Sequence, residues 1–295
     1  MSCQNTRNIF IYTLNDGSKI RRFYDDQKIQ YTSKRQYTIG CGHCEECIRK
    51  LKKEYVSGLM QERLTQKKGM FITLTYADNT TINVSKRDIQ LFMKRLRKAY
   101  SKIQLKYFTV SEYGPKTNRP HYHIILYGLN KEDLKDYYKL PNKQNLFSSK
   151  ELEKIRGNGI VGIGDLNEAT IKYVAGYVIK KLDHKNYENI GLKDTFILRS
   201  KEIGKEYFEK NKEKILKNGG IYINGKLYPI TKYEQRYILG KNKPILDYSI
   251  EELKTLPNIK DLYKIYINNK KISKAMYETN QQKEIKKIYT TNRSL

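Results

Sequence analysis

The sequence predicts an α+β protein: a central antiparallel β-sheet flanked by helices, with an N-terminal cysteine-cluster arm and a basic C-terminal region. Three observations lead there. Runs rich in β-branched and aromatic residues at 70–76, 106–112 and 121–127 read as strands. Stretches with apolar residues at helical spacing lie before, between and after them. The last two strand runs are joined by the turn-rich Tyr113-Gly114-Pro115-Lys116-Thr117-Asn118-Arg119-Pro120, which makes them an antiparallel hairpin.

Taken in order, the first feature is Cys41-Gly42-His43-Cys44-Glu45-Glu46-Cys47. Leu51, Tyr55, Leu59 and Leu64 then recur near helical spacing, predicting an amphipathic helix that ends at Lys67-Lys68-Gly69. Met70 to Tyr76 reads as a buried strand. Ser85, with Asp88 three residues on, caps a helix whose apolar face runs Ile89, Phe92, Leu96 and Tyr100; Lys94, Arg95, Arg97 and Lys98 are left towards solvent or DNA. The hairpin follows, and then Ile171 to Leu182, a helix packing Ile171, Val174, Val178 and Leu182 inward. Boundaries drawn from these elements give a cysteine-cluster arm and helix at 1–68, a core at 69–190 and a basic C-terminal region at 191–295.

The chain has 295 residues, and Lys and Arg total 58 against 31 Asp and Glu, a formal charge of +27. Such an excess draws a protein towards a polyanion, with nucleic acid the leading candidate and compositional bias the bland alternative. No apolar run is long enough to span a bilayer, and the first residues lack the apolar core of a secretory signal, so a cytoplasmic location and no membrane partner are expected. Clustered cysteines then fit a metal in a reducing compartment better than a disulfide framework. Cys3, Cys41, Cys44 and Cys47 supply four thiolates for a tetrahedral structural zinc; His43 could replace the distant Cys3, and free buried thiols are the other reading.

The hairpin carries the most chemistry. Two of the four histidines, His121 and His123, stand two apart on one strand and so face the same side, and Glu112 should lie roughly opposite His121, about 5 Å away. Two imidazoles and a carboxylate with open positions suit a divalent ion that polarises a phosphoryl oxygen, although a surface His-x-His with a structural Glu has the same appearance. In the later helix Tyr173 and Tyr177 sit one turn apart, with Lys180 and Lys181 just beyond. A phenol is only about a thousandth ionised at neutral pH and needs nearby positive charge to become a nucleophile. With 26 tyrosines in the chain the spacing alone is weak, and Tyr233 and Tyr237 repeat it.

These motifs, in this order, resemble the replication initiators of small single-stranded DNA phages, the microviruses of gokushovirus type, within the His-hydrophobe-His (HUH) endonuclease superfamily. Phe71-Ile72-Thr73-Leu74-Thr75-Tyr76 looks like the first motif of that family. Ser111-Glu112-Tyr113-Gly114 with Arg119-Pro120-His121-Tyr122-His123 looks like its metal-binding second, and Tyr173-Val174-Ala175-Gly176-Tyr177 with Lys180 its third. The cysteine cluster, Leu198 to Gly204 with Tyr207, and Tyr228 to Tyr233 are also similar, so the resemblance covers roughly positions 3 to 240. Two departures stand out: Tyr122 is bulkier and more polar than the aliphatic residue of the superfamily name, and Lys201-Glu202 replaces a Pro-containing stretch.

The resemblance implies an HUH fold and a rolling-circle initiator. It implies a metal-dependent single-strand endonuclease using Mg2+ or Mn2+ on Glu112, His121 and His123, with Tyr173 and Tyr177 as nucleophiles and Lys180 beside them. A 5′-phosphotyrosine link and a free 3′-hydroxyl follow, on single-stranded DNA at a phage origin, with host helicase and polymerase as partners in the cytoplasm of the bacterial host. Two other classes stay open: a zinc-containing DNA-binding protein without nicking activity, and a single-tyrosine relaxase or transposase. From Lys260 to Leu295, basic residues interleaved with Tyr263, Tyr266, Tyr277 and Tyr289 suit single-strand contact by phosphate pairing and stacking, or a solvated tail.

Overall fold

The computed structural model describes residues 3, 5–77, 83–114, 117–140, 146–180, 191–218, 220–228, 230, 231 and 234. Lys181, Leu182, Tyr233, Tyr237 and the tail from Lys260 lie outside the described residues. The chain divides into two units, residues 1–54 with 211–295, and residues 55–210.

The first unit opens with β1 (Arg7–Thr13), β2 (Lys19–Arg22) and β3 (Ser33–Ile39), an antiparallel sheet in the order β2-β1-β3. Four successive residues of its central strand, Ile9, Phe10, Ile11 and Tyr12, are buried, so both faces of β1 are covered. Helix α1 (Glu45–Thr65) follows the cysteine cluster and begins with Glu45 and Glu46, acidic groups that suit the positive end of a helix dipole. Ile48, Val56, Leu59 and Met60 are its buried apolar positions; Leu64 is exposed, because the buried face drifts away from it by the last turn.

The second unit is built on a seven-stranded antiparallel sheet. Its strands are β4 (Gly69–Thr75), β5 (Lys106–Tyr113), β6 (Pro120–Tyr127), β7 (Tyr137–Lys139), β8 (Phe147–Ser149), β9 (Ile160–Asp165) and β10 (Ile197–Arg199), in the order β10-β5-β6-β4-β9-β8-β7. The expected hairpin is β5 with β6, paired from Lys106 opposite Tyr127 to Tyr113 opposite Pro120. β4 alternates rather than being buried throughout: Met70, Ile72 and Leu74 are buried, while Phe71, Thr73 and Thr75 are half-buried on the other face.

Helix α2 (Lys86–Ala99) covers the Met70-Ile72-Leu74 face with Ile89, Phe92, Met93 and Leu96. Ser85 caps it, its hydroxyl accepting from the Asp88 amide at 3.3 Å. The basic residues of α2 therefore lie on the far side of the sheet from Glu112, His121 and His123, and Arg95 is committed to the end of α3 (Lys150–Arg156), donating to the carbonyls of Ile155 and Arg156 at 2.6 and 2.8 Å. Helix α4 (Glu168–Lys180) packs against β5 and β6 with Ile171, Val174, Ala175 and Val178 buried. Helix α5 (Lys205–Asn218) and a small hairpin, β11 (Ile221–Ile223) with β12 (Lys226–Tyr228), follow. Among the described residues, no helix is long and apolar enough to cross a membrane.

Tyr122, the polar departure in the His-x-His motif, is fully buried on the α2 side. Its oxygen accepts from the Ser85 amide at 2.7 Å, and its hydroxyl lies 2.9 Å from that of Tyr76, which in turn donates to the Asp88 carboxylate. With the Tyr76 proton on Asp88, Tyr122 must donate to Tyr76. The chain of bonds supplies both needs of the buried phenol and fastens the centre of β6 to the first turn of α2.

A second buried network holds the chain after β10. Glu62 of α1 is fully buried, and its Oε2 accepts from Lys106 Nζ at 2.9 Å and from the Gly204 amide at 2.7 Å. Gly204 has φ +85°, and an added Cβ would stand 3.0 Å from the Gly58 carbonyl oxygen, so glycine is required there.

Two stability changes follow, both read by urea unfolding of the full chain. Glu62→Ala leaves Lys106 without its carboxylate and should cost about 3–5 kcal/mol, whereas Glu209→Ala on the surface should leave the midpoint unchanged. Tyr122→Phe strands the Ser85 amide and should cost about 1–3 kcal/mol.

Candidate active site

Residues of three adjacent strands share the sheet face opposite α2. Strand register sets Glu112 opposite His121, and Thr75 and Thr73 of β4 opposite His121 and His123. Because alternate residues share a face, Glu112, both histidines, both threonines and Phe71 project from the same side. The direct contact is diagonal: His123 Nε2 lies 3.0 Å from Glu112 Oε2. Each imidazole also presents Nδ1 to a threonine hydroxyl, His123 to Thr73 at 3.3 Å and His121 to Thr75 at 3.1 Å.

Those threonines are site residues that sequence reasoning misses. The signal is there in the alternation of Phe71, Thr73 and Thr75, but nothing local says that β4 pairs with β6. Their role is orientation: an Nδ1–H donated to a threonine oxygen leaves Nε2 as the free lone pair, the tautomer that a metal-binding histidine needs. Burial, and then the neighbouring His123, holds the His121 pKa below its ordinary value, which also favours the neutral ligand form.

Helix α4 brings its tyrosines onto this patch. The Tyr177 ring stacks on His123 with centroids 4.8 Å apart and planes at 25°. Phe71 also stacks with His123 at 5.8 Å, and Tyr173 meets both rings edge-on, at 5.6 Å from His123 and 6.2 Å from Phe71. The two phenol hydroxyls are hydrogen-bonded to each other, and Tyr177 is also bonded to Glu112. A carboxylate only accepts, so Tyr177 donates to Glu112 and accepts from Tyr173.

The pair is unequal. Tyr173 is 52% exposed and Tyr177 only 9%. Burial, then its bonds to Tyr173 and Glu112, raises the Tyr177 pKa far above that of a free phenol. Lys180 closes α4, and its side chain lies outside what the structure describes.

The donor set of Glu112, His121 and His123 suits a divalent ion with open positions, and its imidazoles are oriented for ligation. Among the described residues, the four cysteines are the group whose donor atoms all fall within 4.8 Å of one another; the three sheet residues are neighbours but do not meet that span. Cys3, Cys41, Cys44 and Cys47 thus form a second cluster, in the first unit, able to hold a metal such as zinc. The amides of His43 and Cys44 pull the Cys41 thiol down to about 6, while burial pushes Cys47 up to about 12.

Residues 69–182, which carry the sheet residues and both tyrosines, match the family model for the phage replication-associated protein of the ORF2 type. The chain is similar to three phage proteins over most of its length. It is 29% identical to Replication-associated protein ORF2 of Spiroplasma virus 4 over 257 residues, 80% of each chain. It is 28% identical to Replication-associated protein VP4 of Bdellovibrio phage phiMH2K, over 73% of this chain and 74% of that one. It is 30% identical to Replication-associated protein ORF4 of Chlamydia phage 1, over 67% of this chain and 52% of that one. No solved structure matches.

Proposed function

Starting from a chain related to the replication-associated proteins of microvirus-type phages, we propose that it is a rolling-circle replication initiator, a metal-dependent single-strand DNA endonuclease of the HUH kind that cuts and rejoins through tyrosine. The observation that supports this best is the contact of Tyr177 with His123 and Glu112, with Tyr173 bonded behind it. Metal donors and paired nucleophiles, drawn from segments about 50 residues apart in sequence, converge on one patch as phosphodiester transesterification requires.

Glu112, His121 and His123 would hold Mg2+ or Mn2+, which supplies Lewis acidity at a phosphoryl oxygen. Tyr173, the exposed phenol, makes the first attack. Its oxygen forms a bond to phosphorus and loses its proton, the bond from phosphorus to the 3′-oxygen breaks, and that oxygen takes up a proton to become the free 3′-hydroxyl. Lys180, three residues beyond Tyr177, is the charge that eases ionisation of the phenols. The phosphotyrosine ester keeps the bond energy, so rejoining takes no nucleotide. Tyr177 serves the second cut at the regenerated origin, while the 3′-end attacks the first ester and releases a circle.

Single-stranded origin DNA is the substrate on this reading, host helicase and polymerase extend the 3′-end, and the bacterial cytoplasm is the place of action. The formal charge of +27 agrees with a polyanionic substrate. The core at 69–190 carries the chemistry, and the basic region beyond 191 contacts DNA.

The decisive measurement is a denaturing gel of covalent adduct formed on single-stranded phage-origin DNA with Mn2+. Wild type should form adduct; Tyr173→Phe should lose the first adduct; Tyr177→Phe should keep it but fail to release circles; the double variant should form none. Adduct in the double variant sinks the tyrosine assignment, and salt-sensitive binding with no adduct from any form returns the chain to a DNA-binding module. Thr73→Val and Thr75→Val should weaken Mn2+ binding about 10- to 100-fold by calorimetry, with little change in unfolding midpoint.

A further inference from the structure

The proposed reaction leaves one motif unused, the cysteine cluster of the first unit. We propose that Cys3, Cys41, Cys44 and Cys47 form a four-thiolate zinc site that ties the N-terminal arm to the start of α1, and that His43 is not a ligand.

The strand register explains how a residue 38 positions away joins the cluster. β1 runs antiparallel to β3 with Arg7 opposite Ile39 and Asn8 opposite Thr38. Continued past the ends of both strands, the same pairing brings residue 3 level with the stretch after residue 40. There the Cys41 amide donates to Cys3 Sγ at 3.3 Å, and the Cys3 and Cys44 sulfurs stand 3.5 Å apart. Ligand sulfurs at about 2.3 Å from a tetrahedral zinc are separated by about 3.8 Å, and all four sulfurs here lie within 4.8 Å of one another. The four are free thiols.

The backbone is shaped around the sulfurs. The Cys44 amide donates to Cys41 Sγ at 3.2 Å, an outer contact that orients a thiolate ligand. Gly42 has φ +84°, turning the chain so that Cys41 and Cys44 face the same point. At Gly40 an added Cβ would lie 2.7 Å from Cys47 Sγ, so any larger residue would displace that sulfur. His43, the alternative fourth ligand, is exposed and has its Nε2 2.7 Å from an Arg7 guanidinium nitrogen, outside the group of sulfurs.

The site is tested on the full chain, purified without added metal, by elemental analysis and by Co2+ titration of chelator-treated, reduced protein. The expected result is one zinc per chain, and on cobalt the visible bands and sulfur-to-metal charge transfer of a tetrahedral thiolate site. Cys3→Ser and Gly40→Val should lower zinc occupancy and weaken cobalt binding at least about tenfold, while His43→Ala keeps one zinc and the same spectrum. If Cys3→Ser does not fold, the cobalt spectrum of wild type decides between four sulfur ligands and three with an imidazole. No zinc and no cobalt bands in wild type, or loss of zinc in His43→Ala, would overturn the proposal. Neither result depends on DNA cleavage, so the site stands or falls apart from the nicking reaction.

Discussion

Everything at the sheet patch depends on the register of three strands. Glu112, His121, His123, Thr73 and Thr75 act together only because β5, β6 and β4 pair so that all five fall on one face. Side chains alternate along a strand, so a slip of one residue would turn both histidines into the core and bring Tyr122 out in their place. A fold that uses this patch must therefore hold register more tightly than backbone hydrogen bonding alone requires.

The buried polar chain through Tyr122 is how this protein does so. Ser85, Tyr122, Tyr76 and Asp88 link the middle of the His-x-His strand to the capped end of α2, and a slipped register would leave several buried polar groups without partners. A tyrosine where an aliphatic residue is expected is thus a gain in specificity on the side of the sheet away from the ligands. One face is fixed by apolar packing and that hydroxyl chain; the other is free to carry imidazoles, a carboxylate and phenols.

The same constraint works at the N-terminus. Antiparallel pairing of β1 with β3 carries Cys3 to Cys41, so sheet register rather than sequence proximity assembles the four sulfurs. In both places an ordinary backbone ladder gathers distant side chains, and small residues leave them room. Gly40 does this beside Cys47, and Gly114 beside His121, where an added Cβ would lie 3.1 Å from Nε2.

By itself the sequence determined what depends on local periodicity: the shared face of His121 and His123, the hairpin placing Glu112 across from them, the Ser85 cap, and Tyr173 and Tyr177 one helical turn apart. Each follows from fixed repeats of about 2 or 3.6 residues or from a short turn. Tertiary structure alone decided which strand lies on the other side of β6, and so that Thr73 and Thr75 meet the imidazoles. It also decided that the diagonal pair Glu112 and His123 is the one in contact, that Tyr177 is covered while Tyr173 is open, that Leu64 faces water, and that Cys3 rather than His43 joins the cysteines. These are partnerships between segments tens of residues apart, chosen by which pairing buries the most apolar surface with the fewest stranded polar groups, and no local repeat encodes that choice.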